Sequence, residues 1–126
     1  MKRLLSLFFA VLTATVFSQT AIITPATQAS NVTITNITTT SMKVTWTAGS
    51  GTYEIVVIRP ASATRVAPTN ANMSSYSSSS VYGSGSNLGS SNYVVYKSSG
   101  TTVTITGLTP NINYEAVVYS YNYGCG

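Results

Sequence analysis

The chain has 126 residues, six Lys or Arg against two acids, no His, and a formal net charge of +4. Its acids are Glu54 and Glu115, and its lone cysteine is Cys125. Zinc needs three or four His, Cys or carboxylate ligands and calcium several clustered carboxylates, so no metal and no cofactor is expected. Serine is abundant, yet a Ser nucleophile without a His base has nothing to take its proton, which argues against an enzyme. No basic stripe runs along the chain, so a nucleic-acid partner is not expected.

Lys2 and Arg3 precede an apolar run from Leu4 to Phe17. That run is shorter than the ~20 residues a membrane span needs, and Val16 and Ser18 fit the positions before a cleavage site. Residues 1–18 therefore read as a signal peptide, which implies a secreted or cell-surface protein without a stable membrane span in the mature chain. Cys125 has no partner for an internal disulfide. In the mature part Lys43, Arg59, Arg65 and Lys97 oppose only the two glutamates.

Residues 19–30, with Pro25 and several Thr and Ala, read as an extended leader, and residues 31–126 as a single domain. Turn residues punctuate short β-rich runs, and no stretch keeps a helical period, so an all-β domain is expected. The first strand is predicted over Asn31 to Ile37, with Val32 and Ile34 inward. The second, Ser41 to Thr47, turns Met42, Val44 and Trp46 inward and Lys43, Thr45 and Thr47 outward. Tyr53 to Arg59 follows and stops at Pro60, which lacks a ladder donor. Its alternation assigns Tyr53, Ile55 and Val57 to the core and leaves Val56 and Ile58 on the other face.

A Ser/Gly-rich insertion at about 60–91 is long for a compact domain. Asn92 to Lys97 and Thr101 to Thr106 read as two further strands, the latter with Val103 and Ile105 inward. Leu108-Thr-Pro110-Asn-Ile-Asn-Tyr114 then leads into the last strand, Tyr114 to Tyr121. A turn proline feeding a Tyr one step into a strand is the pattern of a sandwich corner, in which the ring enters the core and the hydroxyl meets nearby backbone. Trp46, Leu108, Pro110 and Tyr114 are therefore the expected structural core.

These segments, in this order, resemble strands A, B, C, E and F of a fibronectin type III domain: Asn31-Val-Thr-Ile-Thr-Asn, Met42-Lys-Val-Thr-Trp46, Tyr53-Glu-Ile-Val-Val, Thr102-Val-Thr-Ile-Thr-Gly-Leu108-Thr-Pro110 and Tyr114-Glu-Ala-Val-Val-Tyr119. The stretch from Val81 to Tyr96 is similar to an insertion in such modules of large secreted or surface-attached bacterial proteins. The resemblance implies an immunoglobulin-like antiparallel β-sandwich, here truncated before strand G, that acts as a spacer or adhesive unit beside other domains. Asn111 stands where the family often has Gly, and Asn also tolerates left-handed turns.

Glu54 and Glu115 could form a carboxylate pair for glycoside hydrolysis, but their apparent outward parity suggests solvated strand charges instead. One outer face is expected to be a wettable threonine surface. The other gathers Val56, Ile58, Val117, Tyr119 and Tyr121 into an apolar patch that is either covered by the long insertion or open as a partner-binding face. The expected function is a non-catalytic extracellular module for adhesion, protein recognition or spacing, with a protein or glycan ligand at the cell surface. The alternative is a carbohydrate-binding module using exposed tyrosines. An unpaired last strand also invites self-association through its edge. Terminal sequencing of exported protein should place its first residue at or near Gln19, and finding Met1 or Lys2 there would refute the cleavage.

Overall fold

The computed structural model describes residues 27–122. The signal peptide, the first part of the leader and Cys125 lie outside the described residues.

Six strands form two three-stranded antiparallel sheets. β1 (Ser30–Thr35), β2 (Met42–Thr47) and β5 (Thr102–Ile105) make one, in the order β1-β2-β5; β4 (Tyr93–Ser98), β3 (Tyr53–Pro60) and β6 (Tyr114–Tyr121) make the other, in the order β4-β3-β6. The sheets are an immunoglobulin-like sandwich of fibronectin type III strand order. A short 3-10 helix, Asn70–Ser75, lies in the β3–β4 connection.

Alternation builds the layer between the sheets. Met42, Val44 and Trp46 from β2 and Ile105 from β5 meet Val56, Ile58, Val95 and Val118 from the opposite sheet, all buried, with Leu108 beside them. The Trp46 ring stands edge-on to Tyr96, centroids 5.3 Å apart at 69°. The outward threonines of the first sheet stay exposed except Thr45, which is partly buried and pairs across strands with Thr102, hydroxyl to hydroxyl at 3.3 Å.

The expected facing needs correction in β1 and in β3. Val32 is 39% exposed, because a bulge between Ser30 and Thr33 sets two β1 residues against one on β2 and Asn31 adopts φ 53°, which turns Val32 outward. In β3 the expected parity is inverted: Val56 and Ile58 belong to the core between the sheets, while Ile55 and Val57 form the outer face. Register confirms it, since Val56 pairs with Val118 and Ile58 with Ala116. Glu54 shares the inward parity of Val56 and is only 1% exposed, so it is no solvated charge. Its Oε2 accepts a 2.8 Å hydrogen bond from the Ser120 hydroxyl.

Pro110 is exposed rather than part of the core; its role is to turn the chain. Asn111 follows with φ 65°, the left-handed geometry expected of it. Tyr114 is half-buried against the core, and its hydroxyl accepts the Thr109 N–H at 3.0 Å, the predicted corner.

Trp46→Ala should cost about 3 to 5 kcal/mol through the cavity it opens, whereas Thr104→Ala should stay within about 1 kcal/mol. Urea denaturation of both variants checks the inside-outside register, and equal destabilisation would refute it.

Candidate functional site

The outer face of β4-β3-β6 is apolar because β3 is apolar on both parities. Ile55, Val57, Val94 and Tyr121 are buried there, with Met73 from the 3-10 helix buried against them and Tyr53, Tyr76, Leu88 and Tyr119 packed around. Met73, Tyr76 and Leu88 all belong to the long connection. The face is covered by the chain's own insertion. Of the expected partner-binding residues, Val56 and Ile58 are in the core, Tyr121 is buried, and Val117 and Tyr119 are partly buried.

Polar side chains fasten this cover. Lys97 on β4 donates from Nζ to the carbonyls of Met73 at 2.6 Å and Tyr76 at 2.9 Å, holding the end of the 3-10 helix. Asn92 is 1% exposed. Its Nδ2 donates to the carbonyls of Thr64, Gly89 and Ser90, and its Oδ1 accepts the Val66 N–H, so one amide ties both ends of the connection together. The guanidinium of Arg59 donates from Nη1 to the carbonyls of Pro60, Ala61 and Ala63 and from Nη2 to Glu115. Arg65 reaches the same carboxylate oxygen at 2.9 Å. Glu115 is thus a half-exposed structural ion-pair partner, remote from Glu54, which faces Ser120 at the other end of β3.

The connection also stitches the two sheets. Val94 N–H donates to the Ser86 carbonyl and Ser79 N–H to the Val94 carbonyl, while Tyr82 N–H donates to the Thr106 carbonyl and Thr106 N–H to the Ser80 carbonyl. Tyr82 packs edge-on to both Tyr93 and Tyr114.

At the end of the sandwich where the β1–β2 and β5–β6 turns meet, a groove of about 710 Å³ is lined by Ile34, Ile37, Met42, Leu108, Ile112 and Tyr114, among others. Ile37 is 72% exposed and Ile112 45%. Sequence reasoning passed over both. The available signal was an isoleucine directly after a turn-forming Asn, Asn36 and Asn111, where solvent-facing turns favour polar residues. Asn36 also has positive φ, 51°.

No described tyrosine is fully exposed: Tyr121 is buried and the rest are partly buried. Among the described residues no three His, Cys, Asp or Glu cluster as metal ligands, and no helix is long and apolar enough to cross a membrane.

Order, register and corner define a fibronectin type III-like domain. Residues 27–125 match the family described as "Purple acid Phosphatase, N-terminal domain", and the chain belongs to that family. Among solved structures, the crystal structure of domains A168-A170 from titin is similar, with a TM-score of 0.51 and 17% sequence identity. That match covers 82% of this chain and only 28% of the titin chain, and it bears on the fold alone. No curated protein matches. Family and fold together support a non-catalytic module.

Burial pushes the Tyr119 phenol up from 10.0 to about 12, against the opposing influence of Arg65 and Arg59 and with a smaller upward push from Glu115. The folded state therefore favours the neutral phenol, a contribution present in full below the unfolded value near 10 and lost as pH rises towards about 12. In Tyr119→Phe the loss of stability between pH 10 and 12 should be shallower than in the parent. Denaturation midpoints across that range check it, and identical slopes would refute it.

Proposed function

We propose that this domain is a non-catalytic extracellular module for protein recognition and spacing, and that it meets its neighbour through the groove at the Ile37 and Ile112 end. The carrying observation is that pair of exposed isoleucines on an apolar groove, in a domain whose other large apolar face is covered by its own insertion. The family description supports it, since an N-terminal domain of a phosphatase stands beside another domain. Catalysis is assigned elsewhere because a chain with no His and two distant glutamates offers neither an activated nucleophile nor a ligand set. Partly buried tyrosines disfavour stacking on sugar rings, for which an open ring face is required.

The test pairs a glycan array with surfaces coated in extracellular protein. The domain should be retained on protein and not on glycans, and Ile37→Ser/Ile112→Ser should weaken retention by roughly tenfold without lowering stability, both positions being exposed. Glycan binding that survives this double substitution would overturn the assignment.

A further inference from the structure

Strand direction puts the groove at one end of the sandwich and both described ends of the chain at the other. β1 starts beside Thr47 and finishes beside Lys43, while β6 starts at Tyr114, opposite Pro60, and finishes at Tyr121, opposite Tyr53. Thr27 is tied at the far rim, its N–H donating to the Ser50 hydroxyl and its carbonyl accepting the Ser50 N–H, each at 2.9 Å. Gln28 holds the same rim, its carboxamide donating to the Ser120 carbonyl at 3.1 Å and accepting the Ser120 N–H at 2.9 Å. Asn122 is fixed there as well, its Oδ1 accepting the Thr52 N–H at 3.1 Å. The chain thus enters the described sandwich at Thr27 and leaves it at Asn122 on one rim. The eight residues of β6 separate that rim from the groove, a span of about 25 Å. The groove is turned away from both points where the chain continues.

Its chemistry narrows what can occupy it. Ile34, Ile37, Met42, Leu108, Ile112 and Tyr114 supply the apolar lining, and the other lining side chains are Thr, Ser and Asn. The charged side chains of the described residues are Lys43, Glu54, Arg59, Arg65, Lys97 and Glu115, four cations against two acids, and none of them lines the groove. Charge steers and selects an unlike partner across an interface, and this surface has none to offer. It also has none to repel another positively charged copy of the same domain. Ile37 and Ile112 are 72% and 45% exposed on a hollow that is itself apolar, so the side chains to be buried and the place to bury them lie on the same end. That is the self-matching an isologous contact requires, because a two-fold axis sets each copy's patch against the other's.

We propose that the occupant of the groove is a second copy of this chain, joined end to end about a two-fold axis, with Ile37 and Ile112 of each copy buried in the groove of the other. The inference rests on the reading of the groove as a recognition surface and names its partner. Isoleucines that bring the single domain nothing are taken out of water in the pair. Thr27 and Asn122 of each copy stay at the far rim, clear of the contact.

Sedimentation velocity on the exported chain over a dilution series tests this. The mass should rise from one chain to two with concentration, and Ile37→Ser/Ile112→Ser should weaken the association by roughly tenfold or more. Urea midpoints of parent and variant should agree at a concentration where the parent is monomeric, which shows the variant folded. Should the double variant fail to fold, either single substitution reads the same loss at smaller size. A parent that stays monomeric at every concentration overturns the inference, and so does a dimer that the substitutions leave intact, which then joins through another surface. An open-ended series of larger sizes also overturns it, because a two-fold contact closes at two copies. The recognition reading is judged separately, by retention of the monomeric domain on protein-coated surfaces, so failure to dimerise removes the second copy and leaves that reading standing.

Discussion

The structure depends on β3 being buried on both faces. From Glu54 to Arg59 every residue is buried, with Val56 and Ile58 facing the other sheet and Ile55 and Val57 facing away from it. A two-sheet sandwich covers only one side of each strand. The second side, at about 25 cal/mol per Å² of apolar surface left in water, demands another layer. The β3–β4 connection is that layer, and its length follows from the area it has to cover.

The same feature explains what could be read from sequence. Strands with one wet face, such as β2 and β5, alternate Met42, Val44, Trp46 and Val103, Ile105 with Lys and Thr, and their orientation was legible. So was the corner, because Pro110, Asn111 and Tyr114 each have a local geometric reason for their place. β3 offers no alternation beyond Glu54, and reading that glutamate as solvated inverted the parity of the whole strand. Glu54 is instead inward at the open end of the sandwich, where the Ser120 hydroxyl satisfies one oxygen. Desolvation usually keeps a lone carboxylate out of such a site, so charge alone was a misleading guide. Val32 was misplaced for another reason: a bulge adds a residue without leaving a sequence signature.

A cover made from loop must satisfy its own backbone, and polar side chains carry a large share of that burden here beside the turn bonds. Asn92 answers four backbone groups with one amide, Arg59 three carbonyls and Glu115, and Lys97 two carbonyls. None has a periodic signature. Their contribution depends on which carbonyls the fold brings near, a tertiary fact that composition does not carry. The connection also bonds β4 on one sheet and Thr106 beyond β5 on the other, so that side of the sandwich is closed by hydrogen bonds. Among the described residues, the strands left without a second strand neighbour on that account are β1 and β6.

Burial sets what it would cost each described surface to meet another molecule. The first sheet presents threonines that solvate without an apolar centre, and the outer face of the second is consumed by the insertion. Contact through a sheet face of this domain would require either stripping Met73, Tyr76 and Leu88 from Ile55 and Val57, at a cost comparable to unfolding part of the core, or wetting a surface already content in water. The ends carry no such penalty. Their turns hold Ile37 and Ile112 in solvent at no gain to the domain itself, and burying them against a neighbour recovers what the fold leaves unused. Of the described surfaces, the ends are therefore where apolar side chains can be buried without stripping the insertion from the broad face.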